Sequence, residues 1–293
     1  MQSHGRRWEI AILCSAVLWG TLWIPLRALR ATGLSDASAT TVGFLLPLIL
    51  LIPFAPGRFR RILAGGWPLG MASFFLALAI ALYAEGVVRG QVARVLLLFY
   101  LTPVWSTLLG RFLLGEPITG RRIGTIILGL AGLAVIFGAE AGIPAPQGVG
   151  DWMGLTAGVS WALAMVNLNR TAERPLFDRV FVQFLFLGPI FFVVALLAGG
   201  TPKLVPSTET LLDSGPWLLA FSLAWMLPVM WLTIVGASRL DPGRVAILLM
   251  FEIIVGLTTA AALTDEPFGL RELVGAALIL AASGTELSPK RRP

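Results

Sequence analysis

The chain has 293 residues, of which 57% are hydrophobic and 13% charged, with a formal net charge of +6. Soluble domains carry about 25% charged residues, so an ordinary soluble domain is excluded; the basic residues sit in short clusters between apolar runs, where they orient a membrane protein rather than bind nucleic acid. One Cys (Cys14) and one His (His4) exclude an internal disulfide and a His/Cys metal site, and no residue pattern calls for a cofactor.

About 20 apolar residues cross a bilayer as a helix, and the sequence predicts ten such spans. The first, 10–29, follows Arg6-Arg7 like a signal peptide, but no A-x-A cleavage site follows, so it reads as a retained span. It carries Trp19-Gly20 and an i, i+4 stripe of Ser15, Trp19, Trp23 and Arg27. The second, 37–55, is interrupted by Pro47 and Pro53, and the third, 67–87, holds Tyr83. The fourth, 92–113, opens at Arg94, holds Tyr100, Thr102 and Trp105, and leads to Glu116-Pro117; the fifth is 121–139. From Glu140 to Trp152 there is no Lys or Arg, and Gly142, Pro144, Pro146 and Gly148 mark a linker between halves 1–143 and 144–293.

The sixth span, 152–170, carries Trp161 and a polar stripe of Thr156, Ser160, Asn167 and, just beyond it, Thr171. Gly150, Gly154 and Gly158 form a small-residue stripe on another face, which predicts close helix contact. The seventh, 180–198, is interrupted by Pro189, and the eighth, 217–236, holds Trp225 and Trp231. The ninth, 243–264, opens at Arg244, has Glu252 near its middle and leads to Glu266-Pro267; the tenth is 271–287.

The chain contains itself twice. Ala93-Arg94-Val95 through Glu116-Pro117 recurs 150 residues later as Gly243-Arg244-Val245 through Glu266-Pro267, with Gly86 over Gly236 and Arg89 over Arg239. A weaker match sets Val17-Leu18-Trp19 on Val159-Ser160-Trp161. The copies are offset by five spans, and five is odd, so the second half is inverted, as in secondary transporters. With both termini cytoplasmic, sixteen basic residues fall inside and six outside, which together are all 22, and the split agrees with the positive-inside rule. The expected fold is an all-α polytopic membrane protein of ten helices in two inverted five-helix repeats.

This inverted arrangement, with Trp19-Gly20 in the first span and Glu-Pro closing the fourth and ninth, resembles the drug/metabolite transporter superfamily, EamA-type; the chain as a whole is similar to the aromatic amino-acid exporters of the YddG type. The resemblance implies a central cavity, a place in the bacterial inner membrane and efflux of amino acids. The small multidrug relatives use a membrane-embedded Glu in the first span, which this chain lacks, so their coupling mechanism does not carry over.

Glu252 stands out because a charged group at mid-bilayer costs about 2.5–3.5 kcal/mol on insertion scales and therefore faces protein or a wet cavity. Its repeat counterpart is Thr102. Three roles are open to it: partner of a substrate ammonium, carrier of a coupling proton, or structural acid bonded to a neighbouring helix. Trp19, Trp105 and Trp161, with Tyr83, Tyr100, Thr102 and Asn167, are candidates to line an aromatic cavity that accepts apolar side chains and attracts cations; helix packing is the alternative for each. Arg94 with Glu266, and Arg244 with Glu116, are candidate ion pairs gating opposite faces, the alternative being that Arg positions its span and Glu-Pro begins the next helix. The partners expected are an amino-acid substrate and the lipid bilayer. A transporter of another metabolite or of a drug-like cation is the nearest alternative, ahead of an intramembrane enzyme or a passive channel. No G-x-x-x-x-G-K-[ST] occurs, so the chain is not expected to hydrolyse ATP.

Overall fold

The computed structural model describes residues 2–34, 36–141, 145–197, 206–264 and 268–287. Among these the secondary structure is helical, with no strand, as lipid demands of a chain that must satisfy its own backbone polar groups. In chain order the helices are α1 Gln2–Gly20, α2 Trp23–Ala31, α3 Asp36–Leu51, α4 Phe59–Leu63, α5 Gly66–Arg89, α6 Val92–Phe99, α7 Thr102–Leu114 and α8 Gly120–Ala141. They continue as α9 Val149–Arg170, α10 Leu176–Leu197, α11 Thr208–Ala220, α12 Leu227–Ala237, α13 Pro242–Leu249, α14 Phe251–Leu263 and α15 Leu270–Leu287.

Seven stretches are long and apolar enough to cross a membrane: Arg6–Ala31, Gly66–Arg89, Val92–Leu114, Gly120–Gly138, Leu176–Val194, Thr208–Ala237 and Pro242–Leu263. The predicted second span is a pair, Thr41–Phe54 and Pro56–Leu63, bent by 77°. The predicted sixth and tenth spans are the helices α9 and α15, which are more polar than the others. α9 is enclosed by α5, α6 and α7, so much of its surface meets protein and need not be lipid-like. α15 carries Arg271, Glu272 and Glu286 and packs along α8. Two of the expected proline interruptions do not occur: α3 runs through Pro47 and α10 through Pro189, since neighbouring helices in a bundle re-satisfy the freed carbonyls.

Breaks fall elsewhere. The first span parts at Thr21-Leu22, between α1 and α2, where Pro25 lacks an N–H and its ring opposes the carbonyl four residues back. The fourth parts at Tyr100-Leu101, ahead of Pro103; the carbonyl of Phe99 that Pro103 leaves unbonded accepts from Thr102 Oγ1 at 2.5 Å. The ninth parts at Met250, the position equivalent to Tyr100. The eighth passes through a π-helical turn at Phe221–Met226.

Small residues set the close crossings. A Cβ on Gly150, Gly154 or Gly158 would lie 2.4 Å from the Gly90 nitrogen, 2.9 Å from the Val95 carbonyl or 2.6 Å from the Phe99 carbonyl, so α9 lies against the backbone of α6 along its length. Gly86 approaches the Gly150 carbonyl, with a 3.0 Å Cβ distance, and Gly236 approaches the Trp8 carbonyl at 3.2 Å. α8 and α15 run antiparallel, with Thr125 near the start of one bonded to Thr285 near the end of the other at 2.8 Å.

Candidate functional site

The two broken spans cross where they break. Glu252, in the first turn of α14, accepts a hydrogen bond from the Tyr100 hydroxyl at the end of α6. Further along, Gly243 at the start of α13 lies against Thr107 of α7, so the broken spans are antiparallel and Arg94 and Arg244 mark opposite ends. Glu252 stands in the first turn of α14, at the positive end of that helix's dipole.

Around this crossing is a cavity of about 540 Å3, lined by Trp19, Ala79, Ile80, Tyr83, Phe99, Tyr100, Thr102, Trp161, Ala246, Leu249 and Glu252. The aromatic rings meet edge to face: Trp19 and Trp161 at 6.0 Å, Phe99 and Trp161 at 6.1 Å, Phe99 and Tyr100 at 5.1 Å, with Tyr83 tilted on Phe99 at 4.7 Å. Such rings give a wall that is apolar to a side chain and electron-rich to a cation. One carboxylate set in that wall suits an ammonium group carrying an apolar substituent.

Six of the residues picked out by sequence line this cavity together: Trp19, Tyr83, Tyr100, Thr102, Trp161 and Glu252. Trp105 and Asn167 do not line it. The Trp105 indole N–H is buried without a partner among the described residues. Asn167 donates to the Leu163 carbonyl at 2.8 Å and Thr171 to the Leu168 carbonyl at 3.0 Å, so this end of the polar stripe turns back on its own helix. Sequence reasoning missed Phe99 and Leu249, which end the first halves of the two broken spans; the polar residues at 102 and 252, three places further on in each copy, were the available signal. It also missed Thr233, which accepts from the Trp19 indole at 3.2 Å and shares a 2.5 Å hydrogen bond with Ser15.

The expected ion pairs are arranged differently. Arg94 bonds to Asp151 at 3.2 Å and to Gln91 at 2.7 Å; Glu266 lies outside the described residues. Arg244 bonds to Glu9 at 2.6 Å and to the Glu286 carbonyl at 2.5 Å, and is not brought to Glu116. Glu116 lines a second cavity of about 400 Å3 with Arg122 and Asp241. Aligning Trp19 on Trp161 sets Glu9 over Asp151, so the arginines at the two ends hold equivalent acids. That signal was present in the chain but needed an offset of 142 residues rather than 150.

The model of the EamA-like transporter family matches residues 6–138 and again residues 148–284. The chain belongs to the EamA-like transporter family. It is a multi-pass membrane protein, and the family's members among its relatives are transporters. It is 27% identical over 184 residues to the "Probable amino-acid metabolite efflux pump" of Escherichia coli (strain K12), a match spanning 60% of this chain and only 60% of that protein. It is 24% identical to the "Uncharacterized transporter YvbV" of Bacillus subtilis (strain 168), covering 90% of this chain and 86% of that one. An uncharacterized transporter of Archaeoglobus fulgidus is 27% identical, with 93% of each chain covered. A crystal structure superposes with a TM-score of 0.73 over 96% of this chain and 97% of that chain at 19% identity, a likeness of fold alone.

Proposed function

We propose that this chain exports amino acids with aromatic or bulky side chains across the bacterial inner membrane by alternating access. The observation that carries this reading is Glu252, bonded to Tyr100 inside an aromatic cavity at the crossing of two broken helices. Broken helices flanking a central site are a recurring transporter device. The family match in two successive blocks supports two repeats, 1–143 and 144–293; the span count and the distribution of basic residues are what favour five helices in each, the second inverted, with both termini cytoplasmic. The equivalent contacts Gly86–Gly150 and Gly236–Trp8, and Arg94–Asp151 and Arg244–Glu9, support the same arrangement. Rocking of one half against the other would expose the cavity to each side in turn, and the outer and inner arginine ties are placed to open alternately. The efflux-pump relative agrees with amino acids as the cargo.

A lipophilic cation is the second reading, because an aromatic box with one carboxylate also suits such a ligand. Counterflow in proteoliposomes with a panel of labelled amino acids and a quaternary ammonium compound, with and without a pH gradient, separates the two. Saturable exchange of large apolar amino acids is expected. Glu252→Gln is expected to lower that flux at least about tenfold, as loss of a charged contact implies, and to remove its pH dependence. Wild-type flux and pH dependence in Glu252→Gln would exclude Glu252 as the substrate and proton site.

A further inference from the structure

The cavity's two tryptophans stand at equivalent positions in the two halves, yet their N–H groups are used differently. Trp19 donates to Thr233 at 3.2 Å, and Thr233 is tied to Ser15 at 2.5 Å. At the equivalent positions around Trp161, Thr233 is replaced by Tyr83 and Ser15 by Ala157. Phe99 packs against both Trp161 and Tyr83, at 6.1 and 4.7 Å between rings, where the other half has the smaller Leu249. Among the described residues neither the Trp161 N–H nor the Tyr83 hydroxyl has a hydrogen-bond partner, and neither atom is sealed within packing. Both side chains line the cavity. One half has thus satisfied its polar corner internally, and the other presents two neutral donors to whatever enters.

Those donors restrict the ligand. A ligand that fills the cavity strips water from them, and without an acceptor of its own it loses binding. Glu252 already asks for a cation. No Arg or Lys lines the cavity, so an anionic group on the ligand has the Tyr83 and Trp161 donors to meet and no full positive charge. Tyr83 and Trp161 line the same cavity as Glu252, which matches a ligand that carries an ammonium and a carboxylate together. We infer that Tyr83 and Trp161 are the specificity-determining donors that receive a substrate carboxylate while Glu252 holds its ammonium. This rests on the amino-acid reading above and deepens it: the site selects an α-amino acid over the amine bearing the same side chain.

Phenylalanine and phenethylamine differ by that carboxylate alone. Equilibrium binding of each, radiolabelled, to the purified full chain in nanodiscs tests the assignment. The wild type is expected to favour phenylalanine by about tenfold or more, the discrimination that hydrogen bonds to a charged group supply. Tyr83→Phe and Trp161→Phe, which keep an aromatic ring and remove the donor, are each expected to weaken phenylalanine about tenfold and not to weaken phenethylamine, which no longer strips water from an unmet donor. Glu252→Gln is expected to weaken both ligands. Equal wild-type affinity for the two ligands overturns the assignment, as does parallel weakening of both by the two donor variants, which would mark a packing role. Tyr83→Phe decides alone if Trp161→Phe does not fold. Binding of neither ligand removes the amino-acid reading itself.

Discussion

The helices that carry Trp19 and Trp161 occupy equivalent places and are built differently. α9 is one continuous helix of 22 residues without proline, pressed on α6 through Gly150, Gly154 and Gly158. The first span is two pieces, parted at Thr21-Leu22 ahead of Pro25. At the break the Leu18 carbonyl accepts from the Trp225 indole at 3.0 Å, and the Val17 carbonyl accepts from both the N–H and the Oγ1 of Thr21. Trp225 itself sits in the π-helical turn of the eighth span. One tryptophan is therefore mounted on a continuous helix with its N–H unpartnered among the described residues, and the other beside a break with its N–H held by Thr233. The comparison teaches that a duplicated chain can build its two copies differently, one as a continuous helix and the other with a break.

The sharpest way to break this contrast is to attack the continuous helix. At Gly158 a Cβ would lie 2.6 Å from the Phe99 carbonyl, and backbone cannot yield as a side-chain tip can. Gly158→Val is expected to cost about 3 kcal/mol, at the upper end of overpacking effects, read as a lowered unfolding midpoint in nanodiscs. An unchanged midpoint would show that α9 is free to shift. At the break, Gly20 approaches the Glu252 carbonyl, with a Cβ distance of 2.4 Å. Gly20→Ala is expected to cost roughly 1–2 kcal/mol and to depress counterflow more than stability, because it pushes the first span off the helix bearing Glu252. Stability and flux falling together, as at Gly158, would remove the distinction. The smallest effect is expected from Trp225→Phe, which removes the indole hydrogen bond to the Leu18 carbonyl and costs about 1 kcal/mol, one hydrogen bond's worth. Faster amide exchange confined to 17–24 is expected with it; no change there would detach the π-helical turn from the break.

Much of the site was legible beforehand for a simple reason. Glu252 and the aromatics within spans are residue types that lipid does not call for, so each stood out against its background. Five of them, with Thr102, meet in one cavity. Trp105 and Asn167 carried the same signal and lie elsewhere, because helical periodicity says which residues share a face and not which face a neighbour covers. The arginines at the ends of the fourth and ninth spans were recognised as a matched pair, but their partners were sought in those same spans. The described structure supplies Asp151 and Glu9 from the sixth and first. An acid on another helix is chosen by packing, and a pattern within one span contains no term for it.

The sequence by itself determined that the chain is a helical membrane protein, that it is built from a repeated segment and that Glu252 needs an explanation. These follow from local physics: transfer of apolar side chains to lipid, a backbone that must bond to itself there, and the cost of a charge at mid-membrane. The tertiary structure decided where the spans break, which helices touch through glycine, and which indole N–H is already occupied. Those depend on how close two backbones come and on atoms more than a hundred residues apart, such as Trp19 and Thr233, and such distances exist only once the helices have packed.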